Sequence, residues 1–140
     1  MEPDETYELV IHYHGVRDYE SLFPFVANDQ LKLRMAQFYE DAEKCFESSA
    51  WLPFLLMCGG IFEGILISQN ITKSNFSQQI NTAKERGVIS DREKTIMNKV
   101  REGRNIVHAG NSHKQYISRA DAMDIRKVLD KMIERFCFHP

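Results

Sequence analysis

WLPFLLMCGGIFEGILISQN, residues 51–70, carries apolar side chains on nearly every face of the helix it would form. A helix at a wet surface shows one apolar stripe, whereas one apolar all round is buried among others. The stretch therefore reads as the central helix of a helical domain. Pro53 falls in its first turn, where a missing N–H costs no intrahelical bond. Gly60 and Gly64 lie four apart on one side and would let a second helix approach closely. Glu63 is the lone carboxylate. Burying it unpaired is expensive, so it calls for a cationic or hydrogen-bonding partner; the alternative is a bend that exposes it.

The flanking segments follow helical periods. Leu31, Met35, Phe38, Ala42 and Cys45 recur at three and four, which predicts an amphipathic helix from Asn28 or Asp29 to about Glu47. Residues 75–86 predict a shorter helix with Phe76, Ile80 and Ala83 inward, closed by Gly87 in the left-handed conformation. SDRE at Ser90–Glu93 is a capping box and opens a helix through Ile96, Val100, Gly103 and Val107, ending near Gly110. SRAD at Ser118 opens the last helix, with Ala122, Ile125, Leu129, Met132, Ile133 and Phe136 apolar. Ahead of these, Tyr7, Leu9, Ile11 and Tyr13 alternate with Glu8, Val10 and His12, so residues 1–27 read as an arm with a strand-like piece. The sum is an all-α, up-and-down bundle of about five helices over residues 28–140, with a short N-terminal strand-like arm.

Composition narrows the class. The 140 residues are 43% hydrophobic and 27% charged, as in an ordinary globular domain. No uninterrupted apolar run is long enough for a membrane span, so no membrane is expected. The acidic start lacks the order of a signal peptide. Cys45, Cys58 and Cys137 are scattered and odd in number, which suits reduced thiols in a cytoplasmic protein. No clustered His/Cys pattern points to a metal. Residues 1–70 hold 4 Lys/Arg against 12 Asp/Glu, a balance of −8; residues 71–140 hold 14 against 8, a balance of +6. The asymmetry marks either a face for an anionic partner or halves that attract one another.

NKVREGRNIVHAG, residues 98–110, concentrates the chemistry. On a continuous helix Arg101, Arg104, Asn105 and His108 follow the i, i+3, i+4, i+7 spacing and share one strip. Arginine offers a planar donor fork that matches phosphate oxygens, histidine exchanges a proton near neutral pH, and asparagine orients either. This inventory would bind a phosphodiester and move a proton. The plainer alternative is that the arginines serve the helix dipole or pair with Glu63 or the acidic first helix. His12 and His14 on the arm, His113 in a loop and His139 at the terminus add little.

RNIVH at the end of a helix, after GGIFEGIL in a central apolar helix and an intervening INTAKERGVIS, resembles the HEPN family, the higher-eukaryote and prokaryote nucleotide-binding helical bundles. The resemblance spans about Leu31 to Phe136. It implies a metal-independent endoribonuclease of the toxin–antitoxin or phage-defence kind, without cofactor. Arginine and histidine from the two subunits of a homodimer would meet, and the RNA 2′-OH would attack the adjacent phosphate. Carried onto this chain, Arg101 or Arg104 would hold the phosphate, His108 would act as acid and base, Asn105 would orient, and Glu63 would tether an arginine from behind. The family's spacing is an arginine, commonly a polar residue, and four to six residues before histidine. Arg104 has the polar neighbour but three residues before His108; Arg101 has six but is followed by Glu102. The family also contains non-catalytic binding or dimerisation modules that act with a partner protein such as a nucleotidyltransferase.

Overall fold

The computed structural model describes residues 18–138. The strand expected around Tyr7–Tyr13, with His12 and His14, lies outside them, as does His139. Five α-helices follow one another: α1 (Asp29–Glu47), α2 (Trp51–Ser68), α3 (Phe76–Glu85), α4 (Asp91–Gly103) and α5 (Arg119–Phe138). The domain is an all-α bundle, with no strand among the described residues.

Local chemistry sets the boundaries. Asn28, Asn75 and Ser90 each accept a backbone N–H with the side chain and start α1, α3 and α4. Ser90 and Glu93 complete the reciprocal capping box. Ser118 and Asp121 do the same ahead of α5, through Ser118 N to Asp121 Oδ2 and Asp121 N to Ser118 Oγ, both at 3.1 Å. Three helices end by one device. Ser49, Asn70 and Gly87 adopt φ of 60°, 64° and 71°, and the next residue's N–H reaches back to the carbonyls of Cys45, Leu66 and Ala83.

Helix α2 is central and packs against all four others. Nine of its eighteen residues are buried: Phe54, Leu55, Cys58, Gly59, Ile61, Phe62, Gly64, Ile65 and Leu66. By length and hydropathy alone it could cross a membrane, yet half of it forms the core of this bundle. Helix α1 crosses it at the two glycines. A Cβ on Gly60 would sit 2.6 Å from the Phe38 ring, and one on Gly64 would sit 2.5 Å from Met35 Sδ. Position rises along α2 as it falls along α1, so the two helices are antiparallel. Phe23 and Val26, just before α1, are fully buried in the same core.

Polar pairs tie the acidic first half to the basic second. Tyr39 Oη donates to Asp130 Oδ1 at 2.7 Å, Arg126 lies 3.9 Å from Glu43 and stacks over Phe46, and Arg104 bonds Glu63. Part of the charge asymmetry is thus spent inside the fold.

Candidate functional site

Helix α4 faces the core with Ile96, Met97, Val100 and Gly103. It ends at Gly103, tightens into a 3₁₀ turn over Arg104–Val107, and reaches His108 in extended backbone. The expectation of a helix running to about Gly110 is corrected here. A 3₁₀ turn advances about 120° per residue against about 100° in an α-helix, so the i, i+4, i+7 relation fails beyond Gly103. Val107, expected inward, is 57% exposed, and Ile106 packs against the core in its place.

The single strip of four side chains is therefore split. Arg104 continues the inward stripe of Met97 and Val100. Its Nη2 donates to Glu63 Oε1, and its guanidinium carbon lies 4.9 Å from the centre of the Phe76 ring. A Cβ on Gly59 would lie 2.7 Å from Arg104 Nη2 and 3.2 Å from Nε, so a larger residue there would force the guanidinium to shift from its path to Glu63. Both partners remain about one-third exposed. The lone carboxylate of the apolar helix is only half-buried and does have a cationic partner. Gly59 and Glu63, four apart on α2, form the seat with Phe76 as its side wall.

Arg101, Asn105 and His108 turn the other way. Arg101 is half-buried, donates Nε to Asn98 Oδ1 at 3.3 Å and lies 3.8 Å from Glu102. Asn105 and His108 are exposed. The Asn105 carbonyl accepts from Asn111 Nδ2 at 3.0 Å and from the His108 N–H at 3.1 Å, which pins the 105–111 turn. No hydrogen bond to the His108 imidazole is formed among the described residues. His113 is exposed in the following loop.

The seat under Arg104 was only half visible beforehand. Glu63 advertises a need for a cation, but Gly59 stands beside Gly60 and carries no separate signal. The pairing of Gly59 and Glu63 with Val100 and Arg104, each pair four apart, is the pattern that would have found it. Among the described residues no group of three or more His, Cys, Asp or Glu is placed to hold a metal ion.

The fold and site define a small α-helical bundle with an arginine–carboxylate pair set into a partly exposed side of its central helix. The chain belongs to the family described as a domain of unknown function (DUF4145), which matches residues 40–137. Comparison with curated proteins and with solved structures finds no match.

Proposed function

We propose that this chain is a HEPN-type, metal-independent endoribonuclease acting as a homodimer, with Arg104 as its phosphate-holding arginine and His108 as its acid and base. The observation that carries the reading is the seating of Arg104. Glu63, Phe76 and the open space over Gly59 fix the guanidinium while leaving it about one-third exposed. A fork held from behind is preorganised, and its remaining N–H groups can meet a phosphate without reorganising. His108 follows within one short turn and is exposed. In the reaction the ribose 2′-oxygen bonds to the adjacent phosphorus and the P–O5′ bond breaks. Imidazole takes the 2′-OH proton and imidazolium supplies one to the departing 5′-oxygen, leaving a cyclic phosphate. Arg101 and Asn105 flank the turn as secondary contacts.

The surface of α2 supports the dimer. Leu56, Met57 and Ile67 form a partly exposed apolar stripe around Glu63. A partly exposed apolar stripe that ends in the exposed Ile67 suits a self-complementary, twofold contact. Light scattering on Ile67→Glu beside the parent chain tests it. A dimer that becomes a monomer is expected, and a parent monomer at tens of micromolar would count against the reading.

The activity test is RNA incubated with purified protein in EDTA. Cleavage is expected there, DNA should stay intact for want of a 2′-OH, and His108→Ala should slow the reaction by roughly 10²–10⁴-fold. Arg104→Lys should also fail, because a point charge does not replace a fork. Cutting that needs Mg²⁺ or survives in His108→Ala overturns the mechanism.

One observation favours a second reading, a non-catalytic binding module that works with a partner protein. Arg104 already has a carboxylate and a ring as partners, and the imidazole of His108 is unsupported. On that reading the pair simply staples α4 to α2, and purified protein leaves RNA uncut.

A further inference from the structure

We infer that the groove between α4 and the 114–118 segment is a nucleotide-binding subsite for an unpaired base and its phosphate. The inference rests on the RNA-directed reading above but needs no cleavage. After Gly103 the chain swings away from the helix axis, and it returns through residues 112–118 to the start of α5. Between the two runs lies an open groove of about 490 Å³, within the size range of small-molecule clefts.

Its lining has three parts. The floor is apolar: Ile117 is buried and packs toward Gly103, and Ile106 lies against the core. The wall carries Tyr116, 58% exposed, with no ring stacked on it among the described residues. A large aromatic left open beside an apolar floor offers a face for a base, and base–aromatic stacking tolerates any base. The rim carries charge. Lys99 is paired with Asp121, whereas Lys114 has no carboxylate partner among the described residues and is free to meet a phosphate. Glu102 is held only by a 3.8 Å contact with Arg101, so its carboxylate can accept from a base amino group.

The signs of these groups choose the ligand. Two lysines face two carboxylates, so the groove is not a track for the phosphates of a duplex, which requires a run of cations. One aromatic face, one free ammonium and an apolar floor fit a single splayed nucleotide. Glu102, Gly103 and Ile106 belong to the same 101–108 stretch that holds Arg104 and His108, so the groove and the arginine seat are built on one segment.

The same chemistry is presented by a free nucleotide or by one unit of a single strand, and titration separates them. The full chain is titrated by fluorescence anisotropy with a short labelled 2′-O-methyl oligoribonucleotide, which cannot be cut, and by NMR with AMP and GMP. Tighter binding of the oligomer assigns a strand; binding of AMP or GMP alone assigns a free nucleotide. Either way, amide shifts should centre on Lys99, Ile106 and Tyr116. Tyr116→Ala should weaken binding about 5- to 100-fold, Tyr116→Phe should restore it, and Lys114→Glu should weaken it and flatten its salt dependence. Unchanged affinity in Tyr116→Ala, shifts confined elsewhere, or no binding of any probe overturns the subsite. Tyr116-dependent binding without cleavage removes the nuclease reading alone. Normal cleavage with Tyr116-independent binding removes the subsite alone.

Discussion

Replacing Gly59 by alanine isolates the arginine seat without changing any charge. Alanine in a helix interior is favoured over glycine by roughly 0.5–1 kcal/mol, so a neutral site would gain stability. Here the new methyl would stand 2.7 Å from Arg104 Nη2 and 3.2 Å from Nε, too close for the guanidinium to stay. Displacing it loses a charge-assisted hydrogen bond, worth about 1.5–3 kcal/mol when dry and nearer 1 kcal/mol at one-third exposure. The cation–π contact with Phe76 adds about 0.5 kcal/mol. The balance predicts that Gly59→Ala destabilises the parent by about 0.5–1 kcal/mol, once the helix gain is subtracted. In an Arg104→Ala background the obstacle is gone, and the same substitution should stabilise by about 0.5 kcal/mol. The contact of the new methyl with Val100 Cγ1, at 3.1 Å, is common to both backgrounds and cancels. Urea denaturation of the four proteins reads the coupling as a change in midpoint at constant slope. Equal stabilisation in both backgrounds would refute the placement of Arg104 over Gly59.

Ser49 holds a left-handed φ of 60° at the end of α1; Ser49→Gly should raise stability by about 1 kcal/mol, and a thermal melt that falls instead would show the serine side chain to be needed there. Ser90→Ala removes the capping box of α4 and should cost about 1 kcal/mol in the same measurement. Burial, then the Asp130 carboxylate, raises the ionisation of Tyr39 well above the usual tyrosine range. The fold thus favours neutral Tyr39: its contribution is complete below about pH 10 and is lost as pH climbs beyond that value. Stability measured upward from pH 9 should fall less steeply in Tyr39→Phe, and identical slopes would exclude Tyr39 as the cause. The hydrogen bond from Lys99 leads the causes that hold Asp121 below the usual carboxylate range. Its contribution is present above about pH 4 and fades as pH drops through the folded value, so acid unfolding of Asp121→Asn should show a shallower dependence.

The starts of the helices could be read from the chain. Asn28, Asn75, Ser90 and Ser118 start helices because their short side chains satisfy backbone N–H groups a few residues on, and that needs no tertiary partner. The identity of the central helix followed from apolar residues on all its faces, and the seats for α1 from two glycines one turn apart. Glu63 announced that it needed a cation, but two arginines were candidates and sequence spacing could not choose.

Tertiary structure made that choice. Whether α4 continued to Gly110 or stopped at Gly103 depended on what Ile106 could bury, and packing Ile106 inward released Val107 and unwound the strip of four polar residues. Arg104, one turn beyond the buried Val100, passes over Gly59 to reach the carboxylate, whereas Arg101 bonds Asn98. The groove beside Tyr116 arises only where the returning loop passes α4. Caps and periodicity act over a few residues and are written in the chain; the end of a helix within a core, and the partner of a half-buried charge, are set by surfaces that meet only after the chain has folded.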